Sequence, residues 1–534
     1  MGAGINPEQF EEVSLSNMAV PPLQTKEKTG SRPNMECTGE IPMSNSVRKW
    51  ATIAILVFTN LLNYMDRFTI AGVLTEIQNF FTINDTYAGL LQTAFIVSFM
   101  IAAPLCGYLG DRYNRKIIMV VGLIIWIAAV LGSTFVPPDH FWAFILLRSI
   151  VGIGEASYSI VGPTIIADMF ANSIRSKVLM IFYFAIPVGS GLGFIVGSKV
   201  SALAHDWRWG VRVTPPLGIA CILAIIFVIR EPERGQADKQ QGAENVGNQP
   251  DTNYWQDLLY LLKNKTYVWS TIGYTAVVFV TGTLSWWTTT AIEYSEAHQR
   301  NLTSLGEFPL DAKSNISLIF GAIMTVGGLV GVSVGIVFAQ SWKKGQMCFK
   351  GRHNSRADPI VCAIGSAVAC PFLFFGMYMI SVNEVVSWIS IFIAVTFLCL
   401  NWAVNVDMLL YIVLPNKRAL ATGMQILVSH MLGDASGPYL IGLISESVRR
   451  GNTPKAHYDS LLTAFYVPTA LLVVSAITFA ISAYTLVGDK DKFNLAMGYT
   501  AHNNEITLST KGTGLALDNQ AYSSDEGKVE GKVE

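Results

Sequence analysis

Charged residues are scarce in this sequence: Asp, Glu, Lys and Arg make up 14% of its 534 residues, against roughly a quarter in ordinary soluble domains. Hydrophobic residues reach 51%. The scarcity is uneven, because both ends of the chain are polar while the middle is strongly apolar. This distribution predicts membrane-spanning segments in the middle of the chain and excludes an ordinary soluble domain there.

Several other features are missing. The seven cysteines show neither a CxxC motif nor metal-ligand spacing, and an odd number of them predicts no disulfide framework. We find no Ser/His/Asp set, no metal motif and no phosphate loop, so we expect neither an enzyme nor a cofactor. A net charge of −1 gives no reason to expect nucleic-acid binding. Because no cleavable signal peptide is visible, the first apolar run is expected to serve as both signal and first span.

The apolar middle divides into segments long enough to cross a bilayer as helices, which takes about 20 residues each. The best count is twelve. The predicted spans are 51–74, 88–110, 116–136, 141–168, 178–200, 212–230, 267–292, 316–340, 359–381, 385–414, 420–446 and 461–487.

A polar stretch of linker composition, 231–266, separates spans six and seven. It predicts two halves of six helices, a common transporter architecture with the substrate site between the halves near the midplane. The predicted organisation is a disordered cytoplasmic tail at 1–49, a first half at 50–230, the cytoplasmic linker, a second half at 267–487 and a disordered cytoplasmic tail at 488–534.

Lysine and arginine are concentrated in the loops after spans two, four, eight and ten, and are missing after spans one, three and nine. The positive-inside rule therefore predicts that both termini are cytoplasmic. Arg449 and Arg450, after span eleven, are the discordant pair. Glycosylation sequons at Asn84 and Asn301 fall on the predicted outer or lumenal side, whereas the one at Asn264 falls on the cytoplasmic side and is expected to be silent.

The loop between spans two and three reads GYLGDRYNRK. Its pattern, G-x-x-x-D-R-x-x-R-K, consists of Gly107, Asp111, Arg112, Arg115 and Lys116. It resembles the signature loop of the major facilitator superfamily, in which this loop is a conformational latch and not a substrate site. The alternative is a plain positively charged loop.

Span five contains Pro187, Gly189, Gly191 and Gly193 and continues to Gly197. A dinucleotide-binding loop is a poor interpretation, because no strand precedes the glycines and the run stays apolar. Small residues at this spacing predict close helix packing or a hinge.

Charged residues inside predicted spans are costly and therefore usually functional. Span one contains Asp66 and Arg67, and span four contains Arg148 and Glu155 on one helical face. Desolvation favours the neutral form of a carboxylic acid and a nearby arginine favours the ionised form, so helix movement can bind or release a proton. The alternative is that Asp66 and Arg67 neutralise each other as a structural pair.

The second half also has polar residues within its spans. His430 and Asp434 lie four residues apart, hence on one helical face, and His430 is a candidate proton relay. Packing roles are the alternative for these residues and for the further candidates for a polar cavity, which are Asn401, Asn405 and Asp407. Glu293 is interpreted as the end of span seven.

Longer segments resemble the spinster family of the major facilitator superfamily over roughly 50–450. They read NYMDRFTIAGVL at 63–74, GYLGDRYNRK at 107–116, RSIVGIGEASYS at 148–159, FYFAIPVGSGLGFIVGSKV at 182–200, WRWGVRVTPPLG at 207–218, ADPIVCA at 357–363 and HMLGDASGPYLIGLIS at 430–445. The sequence departs mildly from the family pattern at Lys417–Arg418 and in the residues before Tyr439.

The resemblance implies an all-α membrane protein with the major facilitator fold and twelve transmembrane helices in two six-helix halves. It implies transport of sphingolipids or lysophospholipids, such as sphingosine-1-phosphate or lysophosphatidylcholine, linked to protons. The implied sites are Asp66, Glu155 and His430 for proton coupling, and Arg67 and Arg148 for the lipid head group. We expect a monomer in the lysosomal, late endosomal or plasma membrane. The alternatives are a carrier of soluble organic anions or sugars, and a membrane receptor or scaffold that does not transport.

Overall fold

The computed structural model describes residues 45–170, 172–232, 254–414, 417–496, 499–502 and 505–508. The first half of this part of the chain contains α1 (Asn45–Gly72), α2 (Leu74–Phe81), α3 (Asp85–Arg112), α4 (Arg115–Ser133), α5 (Phe141–Met169), α6 (Asn172–Ala204), α7 (Trp207–Arg212) and α8 (Thr214–Val228). The rest contains α9 (Tyr254–Lys263), α10 (Lys265–Gln299), α11 (Leu310–Lys344), α12 (Ala357–Met379), α13 (Glu384–Leu409), α14 (Arg418–Ser429), α15 (Ser436–Val448), α16 (Pro454–Ala464), α17 (Tyr466–Ala496), β1 (Tyr499–His502) and β2 (Glu505–Leu508).

A helix, or two helices in series, covers each of the twelve predicted spans. Within the described ranges, ten helical segments are long and apolar enough to cross a bilayer. The two remaining spans differ for physical reasons. In the first, α1, the apolar run is interrupted by Asn60, Asn63, Asp66 and Arg67, which lower its hydropathy. The eleventh is divided into α14 and α15, of 12 and 13 residues, by a π-helical turn at His430–Asp434.

Helices extend beyond the predicted apolar segments at several ends. The first begins at Asn45, inside the predicted N-terminal tail, and α17 continues to Ala496, after which β1 and β2 pair as an antiparallel hairpin. The predicted linker contains α9. Helix ends that project past the hydrocarbon layer are polar, so a hydropathy window misses them. Residues 1–44 and 509–534 lie outside the described residues.

The two halves meet mainly through α6 against α11 and α3 against α15. The contacts concentrate toward one end of the bundle, where α2 and the start of α3 face the end of α10 and the start of α11. We call this the sealed end. In α6 the residues before Pro187 leave many side chains exposed, whereas those after it are mostly buried. Toward the opposite end, a Cβ at Gly423 of α14 would meet nothing within 4 Å. The halves are therefore joined at the sealed end.

The glycines of α6 set this packing, as the sequence predicts. A Cβ at Gly189 would lie 2.5 Å from the Leu61 carbonyl oxygen, and one at Gly193 would lie 2.5 Å from that of Met65. On its other face, Gly191 opposes Gly321 of α11, where an added Cβ would lie 2.5 Å from the Gly191 carbonyl oxygen. Side chains larger than hydrogen do not fit at these distances, so α6 contacts both α1 and the other half backbone to backbone.

We expect Gly191→Val to force α6 away from α11 and to destabilise the sealed arrangement by about 1–3 kcal/mol, the usual cost of overpacking. Ser317 of α11 is fully buried in this arrangement, with its Oγ 3.4 Å from the Gly72 carbonyl oxygen of the other half. Labelling of a cysteine introduced at Ser317 should become faster, because the sealed end opens more often. Gly423→Val is the matched control, since the added atoms enter open space. Equal labelling of both variants would contradict this account of the interface.

Candidate functional site

The middle of α1 carries three polar side chains, Asn63, Asp66 and Arg67, that are directed toward different neighbours. Asp66 is fully buried and accepts a hydrogen bond from Thr214 Oγ1 at 2.8 Å, and Arg148 Nη1 lies 3.4 Å from its Oδ2. Arg148 is 3% exposed. Asp66 and Arg148 thus form a buried ion pair inside the first half. The alternative in which Asp66 pairs with Arg67 is wrong, because successive residues of a helix point in different directions.

Arg67 crosses to the second half. Its Nη2 donates to Asp434 Oδ2 at 2.7 Å. With the Gln92 amide oriented by its hydrogen-bond partners, Arg67 Nη2 and Nε donate to the Gln92 side-chain oxygen at 2.8 and 3.0 Å. The guanidinium also lies over the Phe95 ring, 5.4 Å from its centroid. His430 Nδ1 lies 2.8 Å from the other oxygen of Asp434. One arginine thus joins α1 and α3 to the π-helical turn of the opposite half.

The π turn explains how Asp434 reaches this position. Its wider turn places the carbonyl of His430 opposite the amide of Ala435, with a hydrogen bond of 3.0 Å. Gly433 within the turn packs on α10, where an added Cβ would lie 2.9 Å from Val278 Cγ1. Single π turns inside α-helices occur frequently at functional sites. Here the turn presents both His430 and Asp434 to α1.

Glu155 is 1% exposed and has a different kind of partner. The Asn63 amide, oriented by its hydrogen-bond partners, donates to both carboxylate oxygens of Glu155, at 2.9 Å to Oε1, and accepts from Ser159 Oγ at 2.8 Å. In the part of the chain that the structure describes, no ion pair of Glu155 is found. It is therefore the one carboxyl group of this network held only by neutral donors.

The charge balance follows from these contacts. Each arginine has its own aspartate: Arg148 has Asp66, and Arg67 has Asp434. Glu155 is the third carboxyl group and makes the network negative when it is ionised and His430 is neutral. A buried charge without a cation is costly, and binding a proton removes that cost. The geometry thus places a carboxyl group without a cationic partner among the described residues beside two neutralised pairs.

The other polar candidates of the second half lie elsewhere. Asn405 donates to Gln425 at 2.8 Å, and Gln425 donates to Thr271 at 3.1 Å, all within that half. Asn401 is fully buried and donates to the Leu398 carbonyl. The side chain of Asp407 is 45% exposed and lies 2.9 Å from Lys343 Nζ at the end of α11. Of this group, the structure brings only Asp434 into contact with the network around Arg67.

The residues of the signature loop tie three helix ends together. Arg115 Nη1 pairs with Asp168 at the end of α5, and its backbone amide donates to Glu231 at 3.0 Å. Lys116 donates to the Ile226 carbonyl at 2.6 Å, and Arg112 lies over the Tyr108 ring. Gly107 faces α5, where an added Cβ would lie 3.8 Å from Ile160. The side chain of Asp111 lies outside the described residues.

Two ionic clusters at the sealed end, one around Arg449 and one around Glu293, were not predicted from the sequence. Arg449 is not a loop charge: its Nη1 donates to Asp85 Oδ2 of the other half at 3.0 Å, and it also pairs with Glu446. Glu293 is 2% exposed, accepts from Thr75 Oγ1 at 2.7 Å and is therefore more than a helix end. The one sequence feature that could have identified the first cluster was the disagreement of Arg449 with the positive-inside rule. No sequence feature marked Gln92 as a partner of Arg67 or Thr214 as a partner of Asp66.

Comparison with known proteins shows how far the likeness extends. Residues 56–438 match the profile of the Major Facilitator Superfamily. The chain is 44% identical to Protein spinster homolog 1 of Rattus norvegicus over 468 residues, which covers 86% of this chain and 84% of that protein. It is 46% identical to Protein spinster homolog 3 of Danio rerio over 78% of this chain and 82% of that protein.

Solved structures agree on the fold. A bacterial homologue of the human lysosomal transporter spinster, in an inward-facing and occupied conformation, matches with a TM-score of 0.68 and 18% identity over 84% of this chain and 99% of that one. A D-xylose–proton symporter matches with a TM-score of 0.59 and 17% identity over 81% of this chain and 97% of that one. At these identities the likeness concerns the arrangement of helices.

Proposed function

This chain belongs to the spinster family of the major facilitator superfamily, whose members are multi-pass membrane transporters and not enzymes, and on that premise we propose that it carries lysolipids or sphingolipids by alternating access, linked to protons. The observation that carries this proposal is the network around Arg67. It places the ion pair of Arg67 and Asp434 across the interface between the halves. Beside it, within the first half, lie the ion pair of Arg148 and Asp66 and the carboxyl group of Glu155, which has no ion-pair partner among the described residues.

Arg67 is the group we propose for the substrate's phosphate. Its side chain is 14% exposed, and its fork suits bidentate contact with a phosphate. Arg148 is more deeply buried and already bound by Asp66, so we assign it to positioning that carboxylate. An anionic head group that takes Arg67 from Asp434 breaks the link between the halves. Substrate binding and the change of access are coupled in this way.

Glu155 is the group we propose for the transported proton. Asp66 has an arginine and a threonine as partners, whereas Glu155 has the neutral Asn63 amide, so Glu155 gains most from binding a proton. Asn63 and Arg67 lie one helical turn apart on α1. A shift of α1 on substrate binding therefore changes the surroundings of Glu155 and Arg67 together. His430, 34% exposed and bound to Asp434, is proposed to sense the same change.

We place both termini in the cytoplasm and the sealed end on the lumenal or outer side. The distribution of Lys and Arg among the loops supports this orientation. Arg449, which disagrees with the rule, is bound by Asp85 and Glu446 and does not act as a free loop charge. With this orientation the described arrangement opens toward the cytoplasm. A monomer in a lysosomal, late endosomal or plasma membrane remains our proposal for the assembly and location.

The substrate class is tested with the purified full chain in proteoliposomes. Labelled lysophospholipids and sphingosine-1-phosphate are offered beside soluble organic anions and sugars, with and without a pH gradient. We expect saturable flux of one of the phosphate-bearing lipids, enhanced by the gradient. Flux restricted to soluble compounds would favour the carrier of organic anions or sugars. No flux of any compound by well-folded protein would favour a receptor or scaffold.

We expect Glu155→Gln to remove the acceleration by a pH gradient while exchange of substrate at equal pH continues. Glutamine does not titrate and so cannot bind and release the coupled proton. Its side-chain oxygen still accepts a hydrogen bond from Asn63, so we expect the fold to be retained. The measurement compares gradient-driven uptake with exchange in the same vesicles. Glu384→Gln is the matched control, because Glu384 is exposed at the start of α13. Gradient-driven uptake that survives in Glu155→Gln would exclude Glu155 as the coupling group.

A further inference from the structure

A second group of buried ionisable residues lies at the sealed end, away from the network around Arg67. Lys313 of α11 and Glu293 of α10 are 4% and 2% exposed. Thr75 and Glu76 of α2, in the opposite half, complete the group. Thr75 Oγ1 lies 2.7 Å from Glu293 Oε2 and 3.2 Å from Glu76 Oε2, while Lys313 Nζ lies 3.4 Å from Thr75 Oγ1 and 3.7 Å from Glu76 Oε1. We call these four residues the α2–α10–α11 cluster.

The hydrogen atoms of this cluster do not suffice when both carboxyl groups are ionised. A threonine hydroxyl has one hydrogen and two lone pairs. Thr75 therefore donates to one of Glu293 and Glu76, and its oxygen then faces the other carboxylate without a proton between them. The contact between Thr75 Oγ1 and this second carboxyl group becomes a hydrogen bond when the carboxyl group carries a proton and donates it to Oγ1. The two contacts of Thr75 are therefore both hydrogen bonds when the cluster holds one additional proton.

The charges give the same count. Two carboxylates and one lysine sum to −1 in a buried place, and one proton brings the sum to zero. Among the described residues, Glu296, one turn farther along α10, also adds negative charge near Glu293, but it is itself paired with Arg300 at 2.8 Å. Thr75 and Glu76 of α2 contact Glu293 and Lys313 of the other half only while the sealed end is closed. The cost of an uncompensated charge in the cluster is therefore greatest in the closed arrangement.

A cavity connects this cluster with solvent. It has a volume of about 320 Å³ and is lined by Glu76, Phe80 and Leu310, and by residues of the α6–α7 connection that include His205, Asp206 and Arg208. The Glu76 side chain is 15% exposed, whereas Lys313 and Glu293 lie behind it. Water in the cavity therefore reaches Glu76 first.

We propose that the α2–α10–α11 cluster is a proton-binding site of the sealed end, with Glu293 as the acceptor, Thr75 as the relay and Glu76 as the contact with solvent. A proton from cavity water binds Glu76. The Glu76 O–H then transfers its proton to Thr75 Oγ1 while the Thr75 hydroxyl proton passes to Glu293, and no other bond changes. This proposal rests on the proposed transport function and adds to it a proton site on the side opposite the cytoplasmic opening.

The site links pH to access. The closed arrangement holds the proton, and separation of α2 from α10 and α11 admits water and releases it. Acid therefore favours the closed sealed end and alkali favours its opening. For one linked proton, the ratio of open to closed molecules changes by at most about tenfold per pH unit, between the proton affinities of the two states.

The test measures the distance between spin labels at Asn79 of α2 and Asp311 of α11, both exposed and on opposite halves. The full chain is used in lipid nanodiscs, with its native cysteines replaced. In the unsubstituted background we expect the long-distance population to rise with pH. Glu293→Gln should stay closed over the same range, because its amide is permanently neutral. Thr75→Val should retain the dependence at equilibrium with its midpoint shifted to lower pH, because the closed state loses the hydrogen bonds of the Thr75 hydroxyl with Glu293 and Glu76.

Controls separate this site from the others. Glu307→Gln, an exposed glutamate of the adjacent loop, should match the unsubstituted protein. Glu155→Gln should keep the pH dependence of this distance while gradient-driven uptake is lost. A pH dependence that persists in Glu293→Gln overturns the proposal, as does a distance insensitive to pH in the unsubstituted protein. If the distance responds as expected but no pH gradient drives transport, the proposed proton coupling fails and this site stands.

Discussion

Transport should fall by about a hundredfold or more when Arg67 is replaced by glutamine. Removing one partner of a buried, hydrogen-bonded charge pair costs about 3–5 kcal/mol, because the other charge is left without compensation. Here Asp434 would lose its cation, and the π-helical turn of the second half would lose its link to α1. If Arg67 also binds the phosphate, the substrate loses its main contact. Uptake of the identified lipid by proteoliposomes, with thermal unfolding measured in parallel, checks the prediction.

Three variants give this experiment its controls. Arg67→Lys keeps the charge but not the fork that reaches Gln92 and Asp434 together, so partial activity is expected. Arg300→Gln removes a surface arginine, 47% exposed, and should have no effect. Asp434→Asn in the Arg67→Gln background should restore thermal stability without restoring uptake. Full uptake by Arg67→Gln would show that neither the interface nor the substrate needs this guanidinium.

Replacing Arg449 with glutamine should open the sealed end. Asp85 is 1% exposed and accepts from Arg449 at 3.0 Å, from Ser445 at 2.9 Å and from Gln78 at 3.0 Å. Without the arginine its buried carboxylate loses its closest cationic partner and keeps the hydrogen bonds of Ser445 and Gln78, with His457 Nδ1 4.0 Å from its Oδ2. The loss costs about 3 kcal/mol, which opening relieves by hydration. The open population should therefore rise by about a hundredfold, since each 1.4 kcal/mol is a factor of ten. Reaction of a cysteine at Ser317, which is buried against Gly72 of the other half while the sealed end is closed, with a water-soluble thiol reagent measures this change.

Arg450 supplies the matched control, because it is the next residue along the chain and is exposed. Arg450→Gln should leave the labelling rate unchanged. Asp85→Asn combined with Arg449→Gln should return the rate toward its original value, because no unpaired charge remains. If Arg449→Gln and Arg450→Gln behave alike, the pair between Asp85 and Arg449 does not hold the sealed end closed.

Helix positions were accessible to sequence reasoning because they depend on local properties. Apolar runs, the polar linker and the glycines of span five each depend on residues close together in the chain. The prediction that Gly189, Gly191 and Gly193 permit close approach is confirmed in detail by their carbonyl contacts with α1 and α11. The π turn was not predicted, since its one additional residue leaves the hydropathy of the eleventh span unchanged.

The pairing of charged residues could not be predicted from local sequence properties. The cost of burying a charge identified Asp66, Arg67, Arg148, Glu155 and Asp434 from the sequence alone. Which carboxylate belongs to which arginine depends on helices separated by hundreds of residues. Asp407 illustrates the limit: its residue type and position resembled those of Asp434, yet it lies beside Lys343 at a helix end.

The sequence by itself determined that this chain is a membrane bundle of about twelve helices, which of its charges are costly, and which family it resembles. Each of these depends on composition, periodicity or short motifs. Only the tertiary structure decided that Arg67 binds Asp434 across the halves, that no arginine in the described ranges forms an ion pair with Glu155, and that Glu293 is buried close to Lys313. The physical reason is that the surroundings of a buried charge are set by packing, through contacts a few ångströms long between residues far apart in the chain.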